Sequence, residues 1–122
     1  MPHADLKYSP DLSFDPQAMF TAIEQTILAH DSGSGDCKCR SYPAEASNHT
    51  HLLIEISMLT KPHRDEAFTR SLRDAIAAAV KHHLTQSCYI SLAITYSDAM
   101  YLTDRHTWGN AMSSIGADSL RV

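Results

Sequence analysis

The sequence predicts an α/β domain (α+β in some schemes) made of two right-handed β–α–β crossover units, joined into one four-stranded sheet with two helices on one face. Three observations predict it. Apolar periodicity runs strand, helix, strand, and then repeats that order. A polar break, Asp31-Ser32-Gly33-Ser34-Gly35-Asp36, separates the first helix from the strand that follows it. The chain has 122 residues, 43% of them apolar, which suffices for one core and is too short for two.

Residues 2–8 alternate, with Pro2, Ala4 and Leu6 on one face and His3, Asp5 and Lys7 on the other, as in a short strand that Ser9-Pro10-Asp11 ends. Asp15-Pro16 is a helix start, an oxygen acceptor followed by a ring whose missing N–H would have had no partner. Met19, Phe20, Ile23, Ile27 and Leu28 then recur at helical spacing, so the first helix runs from Pro16 to about His30. After the break, Cys37 to Tyr42 alternates small or thiol residues with Lys38, Arg40 and Tyr42, giving a second strand with a cationic face.

Leu52 to Leu59 is a nearly continuous apolar run, expected to be a strand covered on both sides. Asp65 and Glu66 suit the positive end of a second helix with Phe68, Leu72, Ile76, Val80 and Leu84 on one stripe. Cys88 to Tyr96 alternates again as the fourth strand. With both helices on one face, the other face of the sheet stays open, and self-association is the economical way to bury it. Residues 1–122 read as one domain in which 97–122, lacking sustained periodicity, form a C-terminal extension expected to fray or to contact a neighbouring subunit.

Ten basic and fourteen acidic residues give a formal charge of -4 with no long cationic run, so no nucleic-acid or anionic-lipid footprint is expected. The first residues lack the basic and apolar segments of a signal peptide, and no stretch approaches the ~20 apolar residues of a membrane span. Three cysteines, an odd and sparse set, fit free thiols in a reducing compartment. The expected location is the cytoplasm.

Pro2 is the first candidate for chemistry. A small second residue lets the initiator methionine be removed, which would leave proline as a free secondary amine. Such an amine serves as a base only when neutral, a form favoured by desolvation and by nearby fixed cations. Lys38, Arg40 and Arg64 are the available cations. The plainer readings are a common second residue for Pro2, a solvated strand face for Lys38 and Arg40, and an exposed helix start for Arg64.

Met1-Pro2-His3, the Tyr8-Ser9 break, Cys37-Lys38-Cys39-Arg40, His51-Leu52-Leu53-Ile54-Glu55-Ile56 and the helix opening at Arg64 together resemble the 5-carboxymethyl-2-hydroxymuconate isomerase branch of the tautomerase superfamily. The motifs are short, and their order and spacing over about residues 2–96 carry the resemblance. It implies a tautomerase-like fold, a homotrimer whose sheets pack together, and isomerisation of a carboxylated hydroxy-dienoate to the conjugated ketone without metal or organic cofactor. Pro2 and Arg40 would be catalytic, with Pro2 as acid/base, and Lys38 and Arg64 would bind the carboxylates of a small anionic substrate. Cations so placed would stabilise the charge that grows on the carbonyl oxygen. Lys38 departs from the arginine often found at its position, offering a point charge in place of two parallel bonds. Arg64 stands where the helix dipole disfavours a cation, a conflict that a substrate anion would relieve.

Two other readings compete. Cys37, Cys39, His49 and His51 form a C-x-C and H-x-H set, yet alternate strand residues stand ~6.5–7 Å apart, whereas two thiolates on one tetrahedral zinc must be nearer ~4 Å. Free thiols, buried or at an interface, are the alternative for Cys37 and Cys39. Cys88 groups with Ile90 and Leu92 as core, and His82-His83 reads as helix-end electrostatics. The remaining reading is a non-catalytic trimeric binding or structural module on the same fold.

Overall fold

The computed structural model describes residues 1–109. Its elements are β1 (His3–Tyr8), α1 (Pro16–His30), β2 (Lys38–Pro43), β3 (His51–Leu59), α2 (Glu66–His82) and β4 (Tyr89–Ser97). Every predicted element is present, with ends shifted by a residue or two. Pro2 lies just outside β1 because it has no N–H to donate to the ladder. Its carbonyl still accepts the Lys38 N–H at 2.9 Å, so the pairing extends to the proline.

The sheet order is β2-β1-β3-β4. β1 and β3 run antiparallel at the centre, and each carries its own unit's second strand as a parallel outer neighbour. The register places His3 opposite Ser57, Leu6 opposite Ile54 and Tyr8 opposite Leu52. Because strand side chains alternate, this register gathers Ala4, Leu6, Leu52, Ile54, Ile56 and Met58 on one face, and all six are buried.

Both helices cover that face. In α1 the Asp15 carboxylate accepts the N–H groups of Gln17 and Ala18 at 3.1 and 3.2 Å, and Pro16 fills the first turn. The helix turns Met19, Ile23 and Ile27 inward, four residues apart. Asp65 caps α2 by accepting the Phe68 N–H at 2.9 Å, and Leu72, Ile76 and Val80 form its buried stripe. The two helices pack on each other as well as on the sheet. Each fully buried leucine, isoleucine or valine side chain contributes about 1.5–3 kcal/mol relative to exposure.

Within one chain β3 is covered on its helix face: Leu52, Ile54, Ile56 and Met58 are buried, while Glu55 is exposed and Leu53, Ser57 and Leu59 are half-buried on the open face. The apolar run in the sequence concealed an alternation, because Leu53 and Leu59 fall on the open face beside a charge and a hydroxyl. Neighbouring strands add His3, Asp5, Lys7, Lys38 and Arg40 to that face. It is therefore polar rather than apolar in this chain.

Residues 98–109 follow β4 without helix or strand. The expected neighbour contact of the extension falls largely on 110–122, outside the described residues. No helix among the described residues is long and apolar enough to cross a membrane.

Candidate active site

Strand direction decides what surrounds Pro2. β1 begins where β3 ends and where β2 begins, since His3 is opposite both Ser57 and Lys38. The last turn of α1 leads into β2, and α2 starts just after β3, so both helix ends reach the same edge of the sheet. Pro2, Lys38, Arg40 and Arg64, distant in sequence, thus come to one end of the molecule.

The Pro2 side chain is fully buried, and Met1 before it is 38% exposed. On the open face beside them, Arg40 donates from Nε to Asp5 Oδ1 at 2.9 Å and reaches His3 Nδ1 from Nη2 at 3.3 Å. A guanidinium can only donate, so Nδ1 is the accepting nitrogen of His3 and Nε2 carries the proton. Burial, and then Arg40, lowers the His3 pKa below its ordinary 6.5, which favours the neutral ring that this assignment requires. His3 Nε2 then donates to the Tyr101 hydroxyl oxygen at 2.9 Å, leaving the Tyr101 proton for the Met1 carbonyl oxygen at 3.2 Å. A directed chain runs from Arg40 through His3 and Tyr101 to the peptide group that acylates the Pro2 nitrogen.

A shallow depression on the open face, lined by His3, Asp5, Arg40, Glu55, Ser57 and Thr95, adjoins this chain. It holds both signs of charge. Asp5 partly neutralises Arg40, and Glu55 pairs with Lys7 at 2.8 Å. Lys38 is exposed and has no ion-pair partner among the described residues, so its ammonium is available to an anion.

Arg64 is differently committed. Its side chain is 3% exposed, and Nε and Nη2 donate to Asp31 Oδ2 at 2.9 and 2.8 Å while Nη1 donates to the Leu59 carbonyl at 2.6 Å. His63 Nε2 reaches the same Asp31 oxygen at 2.8 Å. Burial pushes the Asp31 carboxyl up, but the bonds from His63 and Arg64 outweigh it and hold the pKa at about 2. Asp31 follows α1, so this pair ties the first crossover unit to the start of the second helix.

The thiols behave unlike the strand estimate. Cys37 precedes β2, free of its pleat, and its Sγ lies 3.7 Å from that of Cys39. His49 and His51 lie at the far end of β3, where His51 Nε2 meets Ser91 Oγ at 2.9 Å and His49 packs edge-on against Tyr89. The four residues do not converge, and no group of three or more His, Cys, Asp or Glu among the described residues could hold a metal ion. Cys88 is half-buried against the core with Leu92 and Ile94.

Three residues at this end were not singled out from the sequence. His3 and Asp5 carried a faint signal, the polar face of an alternating strand next to a cationic one. Tyr101 carried none, because it lies beyond the last periodic element and its contact with His3 spans 98 positions.

No protein-family model matches the chain, and no curated protein matches it. Solved structures do. A fused 4-OT wild-type symmetric trimer matches with a TM-score of 0.66 at 12% identity, over 84% of this chain and 93% of that one. A 5-carboxymethyl-2-hydroxymuconate isomerase from Deinococcus radiodurans R1 matches with a TM-score of 0.62 at 18% identity, over 87% and 90%. A 5-carboxymethyl-2-hydroxymuconate delta-isomerase matches with a TM-score of 0.57 at 20% identity, over 88% of both chains. Paired β–α–β units, the central antiparallel pair and this shared coverage give the chain the tautomerase fold.

Proposed function

We propose that the protein is a cofactor-independent keto–enol tautomerase, with Pro2 as acid/base after removal of Met1, acting on a carboxylated hydroxy-dienoate such as 5-carboxymethyl-2-hydroxymuconate. The observation that carries this reading is the convergence of Lys38, Arg40 and the His3–Tyr101 pair on the Pro2 end of β1. Removing Met1 would convert an amide nitrogen into an amine at the end of β1 where Lys38 stands opposite His3 and Arg40 opposite Asp5, and would free the Tyr101 hydroxyl that donates to the Met1 carbonyl. Cations disfavour protonation of the amine, and a donated O–H bond favours its lone pair, so both act toward a base that is neutral near pH 7.

In the reaction, the Pro2 nitrogen takes the proton of the enol hydroxyl and returns it to carbon along the conjugated chain. Negative charge grows on oxygen between these steps. Arg40 and Lys38 are the groups that would hold this charge and a substrate carboxylate. Arg64, enclosed by Asp31 and Leu59, enters the proposal as the ion pair that fixes this end of the sheet, and a substrate would have to displace Asp31 to reach it.

A homotrimer belongs to the same proposal. The 4-OT structures of this fold are described as symmetric trimers, and the open face is the surface that copies of this chain would cover. A second reading, a non-catalytic trimeric module, is favoured by one observation: Asp5 and Asp31 already occupy two of the three candidate cations. Ketonisation of a simple hydroxymuconate by purified protein separates the two. Turnover that falls when Arg40 or Lys38 is replaced supports the enzyme, and absence of turnover in a protein lacking Met1 supports the module.

A further inference from the structure

We infer that Cys37 and Cys39 form a thiol–disulfide exchange site, at which a small organic disulfide is reduced while the two thiols close into an intramolecular bridge. The geometry carries this. Two residues apart in the chain, their Sγ atoms already face each other at 3.7 Å, and a disulfide needs ~2.05 Å. Residues alternating in a regular strand would share a side without touching. Here Cys37 lies before the first residue of β2, so its side chain can turn toward Cys39.

The two thiols are unequal in a way that exchange requires. Cys39 is half-buried, and a surface depression reaches both thiols between Gln17, Phe20, Thr21 and Glu24 on α1 and Lys38 and Arg40 on β2. Its thiol pKa is lowered, first by its hydrogen bond with Cys37, against the effect of burial and of Glu24. Cys37 is more enclosed, and the same bond together with burial pushes its thiol up. Cys39, the more exposed of the two, is therefore the attacking sulfur and Cys37 the resolving one.

The Cys39 thiolate attacks one sulfur of the small disulfide, forms a mixed disulfide and expels one thiolate. The negative charge that raised Cys37 is then gone. Cys37 loses its proton to solvent, attacks Cys39 Sγ and expels the second thiolate. Two protein thiols are oxidised, one small disulfide becomes two small thiols, and the electrons balance.

Lys38 lies between the two sulfurs in sequence and donates its backbone N–H to the Pro2 carbonyl at 2.9 Å. Drawing Cys37 and Cys39 together bends the chain at Lys38 and loosens that bond. Oxidation is thereby coupled to the proline end of the sheet, whether or not the tautomerase reading holds.

The test uses the full chain, treated with oxidised glutathione, alkylated, and read by intact mass and peptide mapping. The expected result is loss of two alkylation sites with no glutathione retained at them, one linkage between Cys37 and Cys39, and Cys88 reacting independently. Cys37→Ser should hold a single glutathione at Cys39, and Cys39→Ser should react at the enclosed Cys37 at least about tenfold more slowly, in line with its deeper burial. Separate stable glutathione adducts on Cys37 and Cys39 in the unaltered chain, or no reaction above the rate of Cys88, would overturn the site. Hydrogen exchange of the Lys38 amide should be faster in the bridged protein; an unchanged rate would overturn the coupling to Pro2. Neither readout depends on turnover, so failure here and failure of the proposed activity are distinct results.

Discussion

Asp31 holds Arg64 through a single carboxylate oxygen, which accepts Nε at 2.9 Å and Nη2 at 2.8 Å where the end of α1 meets the residues before α2. The guanidinium is buried, so its charge depends on this partner rather than on water. Replacing Asp31 by Ala should destabilise the fold by about 3–5 kcal/mol, the range for leaving a buried charge uncompensated. Urea denaturation at neutral pH measures it, and a change below about 1 kcal/mol would show that the pair contributes little.

The same pair sets an acid limit. The Asp31 pKa is held at about 2 in the folded chain against an ordinary 3.8. A depressed carboxyl contributes stability that is fully present above the unfolded value and lost as pH falls through the folded one. Stability should therefore decline between about pH 4 and pH 2, and Asp31→Ala should flatten that part of the profile. Denaturation midpoints at pH 6, 4, 3 and 2 for both proteins check it.

Tyr101→Phe removes the hydroxyl that links His3 to the Met1 carbonyl. Its bonds are only partly buried, so stability should change by no more than about 1.5 kcal/mol. If the hydroxyl addresses the Pro2 amine once Met1 is gone, its loss should lower kcat/KM by about 3–10-fold, the same energy expressed as rate. It should also raise the amine pKa, moving the acidic limb of the pH–rate profile to higher pH. A purely structural role for Tyr101 would leave that limb in place.

Arg40→Ala should lower kcat/KM for a carboxylated substrate by about tenfold or more, through KM if the guanidinium holds the carboxylate and through kcat if it holds the developing oxyanion. The Arg40–Asp5 pair is only partly buried and open to solvent, so folding stability should change by about 1 kcal/mol or less. Unchanged values of both kinetic constants would remove Arg40 from the site.

Elements with their own period were legible in the sequence. Met19, Ile23 and Ile27, and then Leu72, Ile76 and Val80, mark helix faces that the structure buries. Asp15-Pro16 marked the start of α1 because capping is a local interaction. The polar open face of β3 was less legible, since leucines at 53 and 59 fill in an alternation that only pairing reveals. The grouping of Pro2, Lys38 and Arg40 was implied by the family resemblance, and the parallel pairing of β1 with β2 is what brings Lys38 opposite His3 and Arg40 opposite Asp5. The pairing of Arg64 with Asp31 and the reach of Tyr101 to His3 were not legible, because side-chain contacts between loops leave no periodic trace.

Proline catalysis is tested most directly by intact mass of the purified native protein together with ketonisation of a simple hydroxymuconate by that material and by Pro2→Ala. With Pro2 as the base, the mass should lack Met1 and turnover should fall by about 10²-fold or more in the variant, the scale of a lost general base. Full turnover with Met1 retained, or equal turnover in the variant, would contradict that role.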